Sequence, residues 1–281
     1  MALELLQSLS LPGDPAKANE DSFGHDPNAA VVLDGATPLG DGLMPGPSDA
    51  AWIAQFGARR LLAHLRDGDG ARKALRGALA DTQKSFEALG RMPPQHVWQT
   101  PCASMMLVVP GKDGVEFLSF GDCAALVQQG DAGVTVVGET FDKRAAEALR
   151  AQKLGKEKNL SPASGLSRPE FIETLRASRG RINSGDAWLF SPEPKAAAHA
   201  ARRVIKLAPG ALLLLVSDGF LALASDYGAY SADSLMAAAQ SKGLAALGEE
   251  LRAIEAGDPG GDRFARFKKS DDATALLLKL K

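Results

Sequence analysis

The stretch Leu212-Leu213-Leu214-Leu215-Val216-Ser217-Asp218-Gly219-Phe220 decides how the rest of the chain is read. Five apolar residues run up to Ser217, and an acid followed by a glycine stops the run. A short apolar block ended by a turn signal fits a buried strand that carries Asp218 to a surface. Two other stretches repeat the arrangement. Ala29-Ala30-Val31-Val32-Leu33 leads into Asp34-Gly35, and Asp271-Asp272 opens the apolar run Ala273 to Leu278. Carboxylates gathered at neighbouring strand ends repel one another and resist ionising together. Buried charge is normally paired or bound to a metal, so if the three strands are neighbours in one sheet their acids call for a divalent cation. A single Asp-Gly is an ordinary turn dipeptide; the argument rests on three acid-bounded strands taken together.

Composition narrows the class. A chain of 281 residues allows one large unit or two small ones. Hydrophobic residues at 45% and charged ones at 23% fit a globular protein with a substantial core. The formal net charge of -2, with no basic run interleaved with aromatics, argues against a nucleic-acid-binding surface. Met1 to Gly13 lacks the basic start and long apolar core of a signal peptide. No apolar run reaches the length of a membrane span. Cys102 and Cys123 fall on separate predicted strands without a CxxC spacing, so neither a disulfide framework nor a zinc site is suggested. The expected location is the cytoplasm. With four histidines (His25, His64, His96, His199), metal chemistry is expected to rest on oxygen ligands.

Taken in order, the chain predicts a strand at 20–24 paired with 29–34 around Asp26-Pro27-Asn28. A loop rich in Gly and Pro follows from Ala36 to Pro47. Ser48-Asp49 caps a helix to about Leu65, with Ile53, Phe56, Leu61 and Leu62 on one stripe. After Gly68-Asp69-Gly70 a second helix runs over 71–89, with Leu75, Leu79 and Phe86 facing in. The two helices are expected as an antiparallel pair on a sheet. Strands at 101–109 and 115–120 flank the loop Gly111-Lys112-Asp113-Gly114. The second is read as interrupted at Gly121-Asp122 and continued over 124–128, with another strand at 134–137. From Phe141 to about Arg181 the pattern turns polar and helical: a solvated helix face at 143–158, a loop at 161–165 and a short helix at 168–178. Strands are expected again at 188–190, 204–206 and 212–216, then helices at 232–241 and 243–255. A loop at 257–270 precedes the final strand at 273–280. The whole of 1–281 is read as one domain, with about 141–185 as an excursion from it.

Five motifs in this order resemble a known family: Asn-Glu-Asp at 19–21, Asp-Gly at 34–35, Gly-Asp at 121–122, Ser-Asp-Gly at 217–219 and Asp-Asp-Ala-Thr at 271–274. Their order and spacing look like the metal-dependent serine/threonine protein phosphatases of type 2C, the PPM family, in a divergent, bacterial-like form. The resemblance implies an α+β fold, a four-layer α-β-β-α sandwich of two antiparallel sheets with a helix pair on each outer face. It also implies a centre of two Mn²⁺ or Mg²⁺ ions, with a third, weaker one in bacterial members. In that scheme Asp34 bridges two ions and the Gly35 carbonyl ligates one. Asp218 and Asp271 complete the shell of the other, and Glu20 holds metal-bound waters with Asp21 nearby. Asp122 joins Asp218 at the third ion. A metal-bridging water is then the nucleophile that attacks a phosphorylated protein substrate, and the excursion is a flap near that substrate.

The sequence departs from the family on the substrate side. Where the family places a phosphate-gripping arginine, this chain has Ala16, with Lys17 beside it as the candidate substrate-binding cation. Lysine is a point charge where arginine is a bidentate fork. Asp-Gly is followed by Ala36 and Thr37 without the eukaryotic histidine, and Gly-Asp is followed by Cys123-Ala124. These changes leave an alternative open: a weakly active or inactive module of the same fold that binds a phosphorylated partner. A haloacid-dehalogenase-type mechanism is disfavoured, because Asp34-Gly35-Ala36 lacks a second acid two residues after the first.

Overall fold

A computed structural model describes residues 1–138, 169–264, 266 and 268–281. Their strands form two five-stranded antiparallel sheets. The first holds β2 (Asp21–Asp26), β3 (Ala29–Gly35), β4 (Ala103–Gly111), β5 (Gly114–Phe120) and β8 (Ala201–Ile205), side by side in that order. The second runs β1 (Leu3–Leu11), β10 (Ala273–Leu280), β9 (Leu212–Val216), β6 (Ala124–Gln128) and β7 (Thr135–Gly138).

Strand periodicity builds three apolar layers. On β3, Val31 and Leu33 face helices α1 (Asp49–Arg66) and α2 (Ala71–Leu89), while Ala30 and Val32 face the second sheet. On β9, Leu213 and Leu215 meet them between the sheets, and Leu214 and Val216 point to the opposite helical layer. A strand covered on both faces reads as a continuous apolar run. That is why the leucine block is uninterrupted. The resemblance predicted a helix pair on each face. The first sheet does carry the pair α1 and α2, with Ser48 capping α1 by accepting from the Ala51 N–H. The second sheet carries three helices: α4 (Asp218–Ser225), α5 (Ala232–Ser241) and α6 (Leu244–Gly257).

Several expectations need correction. β6 does not continue β5. At Gly121-Asp122 the chain crosses from one sheet to the other, and Gly121 takes the left-handed φ of +64° that a glycine allows. Trp188 to Phe190 is not a strand. Phe190 alone exchanges two hydrogen bonds with Ala103, and its fully buried ring fills the space left by the absent side chain of Gly57. β1 was not anticipated, because a bulge at Leu6 hides its alternation. Leu5 pairs with Leu278 and Gln7 with Leu277, so the extra residue turns the strand over. Leu3 and Leu5 therefore pack between the sheets, while Leu9 packs toward the helices. α4 was missed for a related reason: it begins at Asp218 itself, directly after the strand.

Of the polar excursion, the structure describes α3 (Pro169–Arg179), close to the expected 168–178. The readings at 143–158 and 161–165 lie outside the described residues. α3 packs on the loop after β3. Arg176 donates through Nε and Nη2 to the Leu39 carbonyl (3.0 and 2.6 Å) and lies 4.3 Å over the Trp98 ring. Arg179 donates to the Thr37 carbonyl at 2.6 Å. No described helix is long and apolar enough to cross a membrane.

Candidate metal centre

Both sheets deliver acids to one edge of the sandwich. Antiparallel pairing sets Asp34, near the end of β3, opposite Asp21 at the start of β2 and Ser104 on β4. Asp122 follows at the crossing between the sheets, where its Oδ1 accepts from Ser104 Oγ at 2.6 Å. From the second sheet, the end of β9 and the start of α4 bring Asp218. Ser217 ties the two halves together: its hydroxyl donates to Asp21 Oδ2 (2.7 Å) and accepts from the Thr274 N–H (2.9 Å).

The result is a cluster. Asp34, Asp122 and Asp218 each offer a carboxylate oxygen, and these atoms lie within 4.8 Å of one another. Burial raises the Asp34 carboxyl well above the usual carboxylate range, and repulsion from Asp218, Asp21, Asp122 and Asp271 adds to it. Asp21 is raised for the same first reason, with hydrogen bonds from Ser217 and Thr274 pulling the other way. Acids held this close are stable only if they share protons or gain a cation. The cluster offers oxygen donors alone, which suits hard divalent ions such as Mg²⁺ or Mn²⁺. The residues present fit such an ion. Cys123, next in sequence to Asp122, is fully buried with its thiol held well up by burial and by the acids.

Asp271 stands apart from the trio. Its Oδ1 receives the Lys268 ammonium at 2.6 Å and the Asp272 N–H at 2.9 Å. Burial raises its carboxyl, and Lys268 draws it back. For Lys268 burial works against the charge, yet Asp271, Asp34 and Asp218 together raise its ammonium above the usual lysine range.

Glu20 lies in the adjoining groove and is held there by two hydroxyls. Thr37 Oγ1 donates to its Oε2 at 2.5 Å, and Ser48 Oγ to its Oε1 at 2.6 Å. Its backbone is fixed as well. The Gly35 N–H donates to the Glu20 carbonyl at 3.0 Å, and a side chain at Gly35 would overlap that oxygen and the Ala50 carbonyl. Asp272 grips the preceding loop by accepting from the Gly13 and Glu20 N–H groups at 2.6 and 2.5 Å. Lys17 sits on the rim, 79% exposed and 3.8 Å from Asp14. Glu20, Thr37, Ser48, Lys17, Lys268 and Asp271 all line one open groove of about 740 Å³.

Of the residues singled out from sequence, the structure brings Asp34, Asp122 and Asp218 into contact range and sets Asp271, Glu20 and Lys17 along the groove. Ser104, Ser217, Thr37 and Lys268 were missed as partners. Ser217 and Thr274 stood inside quoted motifs, so their proximity to the acids was available. Lys268 carried no pattern of its own.

No family model matches the chain, and no curated protein matches it by sequence. Solved structures do. The Mycobacterium tuberculosis serine/threonine phosphatase PstP/Ppp superposes with a TM-score of 0.58 at 18% identity, covering 100% of both chains. PppA, described as a regulatory component of type VI secretion in Pseudomonas aeruginosa, gives 0.55 at 15% identity over 100% of this chain and 99% of its own. The PstP catalytic domain in complex with two manganese ions gives 0.54 at 18% identity, over 99% and 98%. The architecture is therefore that of the PPM-type phosphatase fold.

Proposed function

We propose that this chain is a metal-dependent phosphomonoester hydrolase that acts on phosphoserine or phosphothreonine in proteins. One observation carries the reading: in a fold shared with metal-dependent phosphatases, Asp34, Asp122 and Asp218 converge within 4.8 Å from both sheets. Mn²⁺ or Mg²⁺ ions bound there supply charge neutralisation for the phosphoryl group and activate water for attack on phosphorus. Asp34, Asp218 and Asp122 would hold these ions, with the Gly35 carbonyl and Asp271 as further ligands. Glu20, held by Thr37 and Ser48 along the groove, would accept a hydrogen bond from a water there, a role its two fixed oxygens support. Lys17 on the rim faces the groove as a cation for the substrate phosphate. No nucleophilic side chain is required.

The excursion belongs to the same reading, as a flap beside the substrate. Its described part reaches the site through Arg179, which holds the Thr37 carbonyl while the Thr37 hydroxyl holds Glu20. A cytoplasmic location goes with it, supported by two buried, unbridged cysteines. The test is hydrolysis of p-nitrophenyl phosphate and of phosphoserine and phosphothreonine peptides with Mn²⁺ or Mg²⁺, against a chelated control and Asp218→Asn. Metal-dependent turnover lost in the variant is expected. Metal binding without turnover on any of these substrates would overturn the hydrolase reading in favour of a phosphoprotein-binding module.

A further inference from the structure

Lys268 places a positive charge where the proposed centre needs a metal ligand. Its Nζ lies 2.6 Å from Asp271 Oδ1, and that oxygen already accepts the Asp272 N–H. Asp271 is correspondingly absent from the set of oxygens that converge within 4.8 Å. The surroundings fix this pairing from both sides. Arg252 Nη2 donates to the Asp271 carbonyl at 2.8 Å and so pins the acid's backbone. Two residues before the lysine, Arg266 pairs with Asp258 at 2.8 Å and donates to the Lys269 carbonyl at 3.0 Å, which pins the loop. The lysine side chain, a flexible four-carbon stem with a compact charge, can move while these ties hold. The groove gives it somewhere to go, because Lys268 already lines it.

We propose that Lys268 is an internal counter-ion at Asp271 that a divalent ion must displace, so that the chain loads its ions in two unequal steps. The first ion binds at Asp34, Asp122 and Asp218, where the donors are already gathered. The second engages Asp271 and is weaker, because an ammonium and a divalent ion cannot share one carboxylate oxygen without strong repulsion at contact distance. The metal-free chain keeps part of its acid charge neutralised, and the second site fills only when the ion is plentiful. This inference rests on the metal-centre reading above.

The experiment is calorimetric titration of MnCl₂ into chelator-stripped full-length protein, for the wild type, Lys268→Gln, Lys268→Arg, Lys269→Gln and Asp271→Asn. Wild type is expected to show a tight and a weak step. Lys268→Gln should tighten the weak step about tenfold, the scale of one lost charge contact, and leave the tight step within about twofold. Lys268→Arg keeps the charge and should leave the second step weak. Lys269→Gln removes an exposed neighbouring charge and should change neither, while Asp271→Asn should abolish the weak step. Thermal unfolding gives a second readout: added Mn²⁺ should raise the midpoint more for Lys268→Gln than for wild type. Superposable isotherms for wild type and Lys268→Gln, or equal tightening by Lys269→Gln, would overturn the inference and leave the metal centre standing. If no protein in the series takes up Mn²⁺, the metal centre itself fails.

Discussion

Replacing Asp34 by Asn should stabilise the metal-free chain while destroying its capacity to bind metal. The magnitude follows from the spacing of the acids. Two unit charges 4.8 Å apart, the outer limit for these carboxylate oxygens, repel by roughly 3.5 kcal/mol at an effective dielectric constant of about 20. Asp34 takes part in two of the three pairings within the trio. Burial first, and this repulsion in addition, favour the protonated form, which is why the Asp34 carboxyl sits well above the usual range. The net gain from a neutral, isosteric amide is therefore the cost of that compromise, about 1–3 kcal/mol. On a chain of this size that is a rise of about 2–6 °C in the unfolding midpoint.

The sign with pH is determined by the direction of the shift. An acid whose folded value is raised contributes stability that is complete below the ordinary carboxylate pKa and lost as pH rises through the raised one. The advantage of Asp34→Asn should thus be small near pH 5 and grow toward pH 8. Circular dichroism melts in EDTA across that range, repeated with saturating Mn²⁺, supply the assay. With Mn²⁺ the order should reverse, because only the wild type gains binding energy. A variant that melts below wild type in EDTA at pH 8, or that gains as much from Mn²⁺, would refute the electrostatic account of the site.

Three further substitutions probe the frame around the acids. Ser217→Ala removes a buried hydroxyl that joins Asp21 to the Thr274 N–H, and should cost about 1–3 kcal/mol in a denaturant titration. Gly219→Ala forces a Cβ onto the Asp272 carbonyl oxygen; a loss of about 1–3 kcal/mol by overpacking is expected, together with weaker Mn²⁺ binding in calorimetry. Asp258, opposed by burial but held by the Phe264 and Arg263 N–H groups and by Arg266, has its carboxyl lowered to about 2. A depressed acid stabilises the fold above its ordinary pKa and loses that contribution as pH falls through the folded value. Asp258→Asn should therefore melt below wild type at pH 7, and the gap should close as the pH approaches 2.

Much of this fold was legible because its strongest signals are local. The span β9 at 212–216, the helix at 71–89 and the strand at 273–280 are bounded by residues that end an element for chemical reasons: Gly70, Gly90, Asp218 and Asp272. What escaped depended on distant partners. The bulge at Leu6 is defined only by pairing with Leu277 and Leu278, and no window within residues 1–13 contains that information. Gly121-Asp122 reads equally well as a bulge and as a crossing between sheets, since both need a glycine at positive φ. The acids of the site were visible one by one as the ends of strands. Their hydroxyl partners were not, because Ser104, Thr37 and Ser48 become partners only when pairing and helix packing bring them in.

The crossing at Gly121-Asp122 is also what makes the acids a site. Asp34 comes from the first sheet, Asp218 and Asp271 from the second, and Asp122 from the segment that joins them. The central strands of both sheets are apolar on both faces, so burial fixes their separation and registers far more strongly than a few polar contacts at the edge could. That strength lets the fold hold Asp34, Asp122 and Asp218 within 4.8 Å against their repulsion. Where the edge itself is joined, the links are polar and few: Ser217 to Asp21 across the sheets, Ser104 to Asp122 beside the crossing, and Asp272 to the Gly13 and Glu20 amides. A cation bound among the acids would add a charge-based brace between the sheets at the place where apolar packing contributes least. The same geometry that makes the edge unfavourable without a cation therefore couples metal uptake to the joint between the sheets, while Lys268, three residues from Asp271, offsets charge only within its own segment.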